Sequence, residues 1–517
     1  MYWADKVADE IINSGKYKPY IVDDMFTPSG FAHLGSLRGP LIHDLIYKAI
    51  KYTSAQARFT YVFNDFDVID GLPDDLQKDF DKYLGFPLRN VPSPEEGFSS
   101  FADYFAQDFK NVLGSFGVEA EYLSLDSSEK IQDIYQKVSG SKKRELGWLP
   151  FQVICEECGK LGTTRVHDWD GKTIAYTCEP SLVTWAKGCG HTGRISPFGG
   201  TGKLPWKVDW PAHWVVIGVT IEGAGKDHSS AGGSRDIARE LCREVFKIEE
   251  PYNVPYEFML IGGRKMSSSK GLGLKARDAQ KLLPPELARF LFTRTDYRQA
   301  VEFDPVGTMT IPDLFDEYDR CWTAYNTGTD QPRPTSERVE AGENLSRTFE
   351  MAQINEPPQK TKDLYLPRFR DVVNYVQLPN VDEKEQFSSL ARRPLSNLEL
   401  EILKERIAYA KIWLEKYTPK DMFVGMTAEL PNTARELSKQ QKEYLKQAIT
   451  LLEHEDSAEE LQQKLYVAAK DMGLSSADAF AAIYTVMLGK SHGPKAGWFL
   501  LQYPKEEVVK RLKEAIE

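Results

Sequence analysis

Thr27-Pro28-Ser29-Gly30-Phe31-Ala32-His33-Leu34-Gly35-Ser36 is the stretch on which the reading of the fold turns. It follows Tyr20-Ile21-Val22, an apolar run that predicts a strand. It precedes residues 37–52, where Leu41, Leu45, Ile46 and Ala49 share one helical face. Strand, glycine-containing loop, helix is the geometry in which backbone N–H groups and a helix N-terminus receive phosphate. A histidine within such a loop can donate to a phosphate oxygen. An ordinary turn has the same letters, so the weight comes from a second stretch, Gly262-Gly263-Arg264-Lys265-Met266-Ser267-Ser268-Ser269-Lys270-Gly271.

The chain of 517 residues is too long for one core and predicts roughly three or four domains. No apolar run is long enough to span a bilayer, and residues 1–16 lack a secretory pattern, so a cytoplasmic protein is expected. Residues 1–12 instead form an amphipathic helix pattern with Trp3, Val7 and Ile11 on one side. A net charge of −11 disfavours indiscriminate coating of nucleic acid but leaves room for specific RNA binding through a local basic face. Six cysteines in a chain this long are not a secreted disulfide framework. Cys242 and Cys321 are isolated and read as small buried hydrophobes.

Arg58-Phe59-Thr60-Tyr61-Val62-Phe63 predicts a second strand, ending in the acidic loop 64–71. Ligands of a parallel sheet bind beyond the C-terminal ends of its strands. Carboxylates there can hold a metal, an arginine or a substrate amine, or merely cap a helix. Asp23 and Asp24 pose the same question. Residues 71–97, rich in Asp, Leu and Pro, predict a surface excursion. Helices at 98–116 and 127–139 and a strand at 121–125 continue the alternation of a doubly wound α/β sheet.

Cys155-Glu156-Glu157-Cys158-Gly159 begins a different region of short Thr- and Gly-rich strands, which adds Cys178 and Cys189. Four thiolates suit tetrahedral zinc, with His191 as an alternative fourth ligand. A closed set of four predicts a structural metal that stiffens an insertion too small to own a core. Trp206, Trp210 and Trp214 are each four residues apart, a shared face on a helix, although Pro211 argues against a long one. Residues 215–221 predict a strand. They lead into Glu222-Gly223-Ala224-Gly225-Lys226-Asp227-His228 and a helix at 235–246, so strand, glycine-rich loop and helix occur a second time. A strand at 256–261 runs directly into the Lys265 loop.

Residues 27–36 and 265–269 resemble the two signatures of class I aminoacyl-tRNA synthetases. The fuller runs are Thr27-Pro28-Ser29-Gly30 with His33, Pro205-Trp206-Lys207-Val208-Asp209-Trp210-Pro211, Gly225-Lys226-Asp227-His228, Ala231-Gly232-Gly233-Ser234 and Lys265-Met266-Ser267-Ser268-Ser269. Together they are similar to the archaeal-type lysyl-tRNA synthetases of class I. The likeness is strong over roughly residues 20–300 and returns at Leu488-Gly489-Lys490 and Gly493-Pro494-Lys495.

The resemblance implies a Rossmann-like parallel-sheet catalytic domain in two halves (1–147 and 205–275) and a zinc-binding insertion (148–204). A helical connecting domain (276–390) and an all-α anticodon-binding domain (391–517) would follow. It implies ATP with Mg2+, L-lysine and tRNA(Lys) as substrates, structural Zn2+ on Cys155, Cys158, Cys178 and Cys189, and a monomer. His33, Ser36, Lys265, Ser267 and Ser268 take the catalytic places; Pro28, Ser29, Gly30, Gly35, Gly225, Asp227, His228, Met266 and Ser269 the ATP places. Asp24, Thr27, Trp206, His228 and Tyr256 take the lysine places.

The chain departs from the family pattern at Ser36, where the first signature has a second histidine, and at Ser268, where the second usually has lysine; Arg264 or Lys270 can replace that cation. Asp23-Asp24-Met25-Phe26 stands where small residues are typical. A carboxylate there can pair with an ammonium, whereas Met25 can narrow the pocket. A synthetase of this fold that charges another amino acid, and an RNA-binding paralogue without aminoacylation, remain as alternatives.

C-terminal to 271 the pattern is helical: 282–295, 313–325, 367–377, 395–416, 435–453, 458–472 and 476–488, with polar linkers at 331–335 and 355–362. Ser396 and Glu399 form a capping box, with Leu400, Leu403, Ile407, Ala410 and Leu414 expected inward.

Overall fold

A computed structural model describes residues 1–124, 149–265, 274–328, 336–361, 363–378, 381–419, 426–427, 429–493 and 495–517. The expected helix at 127–139, the linker at 331–335 and the serines of the Lys265 loop lie outside the described residues. The chain forms two compact units, Met1–Asp304 with Cys321–Lys360, and Pro305–Arg320 with Thr361–Glu517.

The first unit opens with helix α1 (Trp3–Ser14), which buries Trp3, Val7 and Ile11. Strand β1 (Tyr20–Phe26) precedes the His33 loop and helix α2 (Arg38–Tyr52). Next come strand β2 (Ala57–Phe63), helix α3 (Asp74–Phe80), helix α4 (Phe101–Ser115) and strand β3 (Glu121–Ser124). β1 pairs parallel to β2 from Tyr20↔Ala57 to Phe26↔Phe63, and β2 pairs parallel to β3. On the other edge of β1, Ile221 bridges in parallel to Val22 and to Tyr252. The Asp23 N–H donates to Ile221 O (3.0 Å), and the Glu222 N–H donates to Tyr252 O (3.1 Å). The C-terminal ends therefore share one edge, where the loops after Phe26, Phe63 and Gly225 collect.

Of residues 71–97, expected as a surface excursion, 92–97 lie at the surface but the stretch before them packs inward. Leu72, Leu76, Phe80, Tyr83, Leu84 and Phe86 pack on a core of Ile69, Leu88, Val91, Phe101 and Phe105. The Asp and Pro content hid apolar residues at helical spacing.

The insertion consists of β4 (Gln152–Val153), β5 (Thr164–Trp169), β6 (Ile174–Cys178), β7 (Thr192–Ile195) and β8 (Gly202–Lys203). β5, β6 and β7 form an antiparallel sheet, and β4 pairs with β8. Helix α5 (Trp206–Ile217) follows and runs through Pro211. Expecting Pro211 to preclude a long helix was wrong. Proline deletes one backbone donor, and the burial of Val208, Trp210 and Trp214 holds the helix regardless. The strand expected at 215–221 is corrected for the same reason: residues 215–217 finish α5, Gly218 caps it at φ 80°, and only Ile221 bridges the sheet.

Strand β9 (Ala224–Gly225), helix α6 (Lys226–Ser229) and helix α7 (Ser234–Leu241) come next. The single strand expected at 256–261 is two, β10 (Pro255–Tyr256), parallel to β9, and β11 (Met259–Ile261). β11 forms a hairpin with β12 (Arg264–Lys265) and a parallel pair with β13 (Val301–Glu302), which follows helix α8 (Pro285–Thr293). Arg289 of α8 is buried and donates to Met351 O, Phe116 O and the Asp44 carboxylate.

Helix α9 (Thr310–Thr327) is followed by α10 (Ser336–Ala352), α11 (Phe369–Tyr375), α12 (Glu383–Ala391) and α13 (Asn397–Lys416). α10 and α12 were not anticipated. Their sequences are polar overall and their apolar face is narrow. The capping box at Ser396 and Glu399 is present. The buried face of α13 is rotated from the one expected, running through Ile402, Leu403, Arg406, Ala410 and Trp413. Arg406 is inward because Asp319 and Pro367 O receive its guanidinium.

α14 (Lys439–His454), α15 (Ala458–Asp471), α16 (Ser476–Leu488), α17 (Ala496–Leu501) and α18 (Lys505–Ile516) complete the chain. They close on Leu445, Leu452, Leu461, Leu465, Ile483, Phe499, Leu500 and Leu512, all without solvent exposure. Each such side chain contributes about 1.5–3 kcal/mol by leaving water.

Candidate active site

His33 caps the short turn that runs into α2, and its Nδ1 accepts the Ser36 N–H at 3.1 Å. A neutral ring that accepts at Nδ1 carries its proton on Nε2. Burial, and then the nearby Lys265, lower the pKa of His33, which favours that neutral donor form. Gly35 lies beneath the ring; a Cβ there would stand 3.0 Å from it. Pro28 is buried, and Ser29 and Gly30 form the turn before the histidine, with the Ser29 N–H on Thr27 O at 2.9 Å.

The segment that follows the second signature meets the first through the backbone. The Leu34 N–H donates to Leu274 O (2.8 Å), and the Ala276 N–H donates to Ala32 O (2.9 Å). Residues 274–276, just past the Lys265 loop, are thus fastened to the His33 loop although the sequence separates them by about 240 positions. Lys265, exposed at the end of β12, has its ammonium 3.4 Å from Asp227 Oδ2 and 3.6 Å above the Phe258 ring. Asp227 therefore faces Lys265. Met266, Ser267, Ser268 and Ser269 lie outside the described residues.

Between β1, α5 and β10 is a cavity of 340 Å³ lined by residues that include Asp24, Met25, Thr27, Asp67, Trp206, Trp210, Glu222, Gly225, His228 and Tyr256. It brings together Asp24, Thr27, Trp206, His228 and Tyr256, five positions singled out in the sequence. Trp206 stacks on Trp210 at 5.0 Å, and His228 stands edge-on to both. Asp24 is buried, and its Oδ2 has no hydrogen-bond partner among the described residues. His43 Nδ1 lies 3.6 Å away but bonds Gly39 O at 2.8 Å, while its Nε2 accepts the Gly223 N–H at 2.7 Å. Burial pushes the His43 pKa down to about 4, so this imidazole is neutral.

Beneath the cavity Glu222 accepts the Trp210 indole N–H at 2.7 Å and the Trp214 indole N–H. Burial pushes its pKa up to about 7 against the opposing effect of those donors and of Arg235. Asp23 accepts from Thr60 Oγ1 at 2.5 Å. Burial, reinforced by Glu222, raises both Asp23 and Asp24. Asp67, the third carboxylate lining the cavity with Asp24 and Glu222, is 3.0 Å from the Lys203 ammonium, and Thr27 Oγ1 reaches it at 3.5 Å. The sequence reading missed Glu222, His43 and Lys203. A Trp-x-x-x-Trp pair ahead of a lone acid was the only signal for Glu222, and nothing local marks the others.

The four cysteine sulfurs of the insertion lie within 4.8 Å of one another, with Cys155–Cys189 at 3.6 Å and Cys158–Cys178 at 3.7 Å. Zn–S bonds of about 2.3 Å in a tetrahedron separate sulfurs by roughly 3.8 Å, so this donor set fits zinc. His191 is not in the cluster; its ring lies 6.0 Å from that of Tyr176. The knuckle docks on the catalytic unit, the Leu161 and Gly162 N–H groups donating to Gly85 O at 2.7 and 3.0 Å. Among the described residues no helix is long and apolar enough to cross a membrane.

Residues 1–355 match the family described as tRNA synthetases class I (K), and residues 368–516 match an anticodon binding domain. The lysine–tRNA ligase of Methanocaldococcus jannaschii is 33% identical, the match covering 99% of each chain. That of Archaeoglobus fulgidus is 30% identical over 100% of both. Among solved structures, a glutamate tRNA ligase from Elizabethkingia meningosepticum matches with a TM-score of 0.43 at 12% identity, over 96% of this chain and 99% of that one.

Proposed function

The chain belongs to the tRNA synthetases of class I (K), and on that premise we propose that it activates L-lysine with ATP and transfers the lysyl group to tRNA(Lys). The observation that carries the reading is Asp24 Oδ2, a buried carboxylate oxygen without a partner among the described residues, at the wall of an aromatic cavity beside the His33 loop. A buried charge is costly unless paired, and a long aliphatic stem ending in an ammonium fits both the rings and the acid.

A lysine carboxylate oxygen attacks the ATP α-phosphorus, the bond to pyrophosphate breaks, and lysyl-adenylate forms. A ribose hydroxyl of the tRNA terminal adenosine then attacks the acyl carbon and AMP leaves. The protein supplies position and charge rather than covalent chemistry. His33 Nε2–H donates to a phosphate oxygen as charge builds, with Ser36 fixing the ring from the other side. Pro28, Ser29, Gly30 and Gly35 shape the loop that the phosphates approach. Lys265, with Met266, Ser267, Ser268 and Ser269, holds the departing pyrophosphate. In doing so Lys265 exchanges Asp227 for phosphate, which frees Asp227, beside Gly225 and His228, for the ribose. Mg2+ carried by ATP would supply charge that screens the phosphates.

Trp206, His228, Tyr256 and Thr27 enclose the lysine, whose ammonium meets Asp24. Cys155, Cys158, Cys178 and Cys189 hold a structural zinc. The domain divisions at 148, 205, 276 and 391, a monomeric state and a cytoplasmic location belong to the same reading.

ATP–pyrophosphate exchange tested with each amino acid checks it. Lysine is expected to support exchange. His33→Ala is expected to lower kcat about 10²–10³-fold with the lysine KM held. Exchange with glutamate or cysteine and none with lysine would overturn the assignment.

A further inference from the structure

Gly39 lies in the first turn of α2 and is buried. Its φ is not positive, so the backbone does not call for glycine, and alanine is the better helix former. Space is what it provides. A Cβ at this position would lie 2.8 Å from Asp24 Oδ2 and 2.8 Å from the Tyr256 hydroxyl oxygen. Both polar atoms, from two residues that line the cavity, stand over the bare Cα.

The helix cannot retreat to make room. The Gly39 carbonyl is tied to His43, which is tied in turn to Gly223. The neighbouring Arg38 side chain reaches the carbonyls of Glu257, Phe292, Asp296 and Gln299. Asp24 also stands three residues before Thr27 on β1, about 10 Å deeper along the strand. That places it at the distal end of a substrate whose carboxylate faces the His33 loop. Of the two aspartates on the cavity wall, Asp67 already has the Lys203 ammonium.

We propose that Gly39 is a specificity-determining position: its missing side chain leaves the space in which the Asp24 carboxylate and the Tyr256 hydroxyl together receive the substrate's terminal ammonium. The inference rests on the lysine-pocket reading above and adds a residue that touches no part of the substrate in its own right. Gly39 acts through Asp24, so the two must be energetically coupled.

The test compares wild type, Gly39→Ala, Asp24→Ala and the double variant in lysine-dependent ATP–pyrophosphate exchange, with thermal unfolding alongside. Gly39→Ala is expected to raise the lysine KM roughly tenfold or more while the ATP KM holds, and Asp24→Ala to do likewise. The double variant is expected to be no worse than Asp24→Ala alone. If Gly39→Ala is unstable, the double variant, which lacks Asp24 Oδ2 but keeps the Tyr256 hydroxyl, regains part of the lost unfolding temperature. Additive losses, a parallel rise in ATP KM, or instability that the double variant does not relieve would each overturn the proposal. A wild type inactive with lysine defeats the pocket reading itself, whereas an active wild type with an indifferent Gly39→Ala defeats only the role of Gly39.

Discussion

Asp23, Asp24 and Glu222 crowd three carboxyl groups beneath one cavity, and burial, followed for both aspartates by the Glu222 charge, raises the pKa of each. Their ionisation above the raised values penalises the free folded protein, and the penalty is relieved as pH falls through about 7, the Glu222 value, toward the unfolded carboxylate range. A bound ammonium favours the ionised acids. Through the Glu222 proton, lysine affinity is therefore expected to weaken as pH falls through about 7, by up to about tenfold per unit for one linked proton, and the raised Asp24 acts in the same direction. The ligand's ammonium stays charged over this span and His43 stays neutral, so the titration reports the acids. Calorimetry in buffers of different ionisation enthalpy would detect the proton released on binding; an affinity flat in pH with no proton release would refute the linkage. His33 and Lys265 were legible in the sequence because loop chemistry of that kind is local. Glu222, His43 and Lys203 were not. The His43 bond to Gly223 spans 180 positions and the Lys203 bond to Asp67 spans 136, and such pairings exist only after the sheet has formed.

At the scale of elements, the insertion is joined to the cavity beside β1 by one strand. β8 carries Lys203, whose ammonium neutralises Asp67 in the cavity wall, while the cysteine knuckle rests on Gly85. Its own core is small, so a zinc on the four cysteines would supply much of its order. Protein carrying about one zinc per chain is expected, and Cys155→Ser is expected to lose the metal and raise the lysine KM severalfold while the ATP KM changes little. Elemental analysis with exchange kinetics checks both, and an unchanged lysine KM in zinc-free protein would contradict the coupling. Helix periodicity was a good guide where apolar residues set the face, as at α16, expected and found at Ser476–Leu488. At α5 the i, i+4 spacing of the tryptophans pointed to the helix, and the weight given to Pro211 misled, since their packing outweighs it. Periodicity failed at α13, where Asp319 and Pro367 O draw a charged Arg406 inward and turn the face. Propensity is a local quantity, and in both helices a tertiary partner decided the outcome.

Over the whole molecule, His33, Asp24, Asp227, Lys265 and the cysteine cluster all belong to the unit Met1–Asp304, whereas the anticodon-type match at 368–516 falls within the unit that includes Thr361–Glu517. A chain with a net charge of −11 does not attract RNA along its length, so charging depends on specific surfaces being correctly folded. On the proposed function, activation of lysine is expected to need only the first unit and transfer to tRNA to need both. Leu465 of α15 separates the two requirements. It is buried without exposure in the C-terminal core, and its carbonyl accepts the Tyr444 hydroxyl at 3.1 Å. Leu465→Ala leaves a cavity that costs about 2–5 kcal/mol, a large share of what holds a unit of this size together. Under conditions where that unit is partly unfolded by circular dichroism and calorimetry, lysine-dependent ATP–pyrophosphate exchange is expected to stay near wild type while aminoacylation of tRNA falls with the folded fraction. If exchange declines in step with charging, the two units unfold as one and the division of labour between them is wrong.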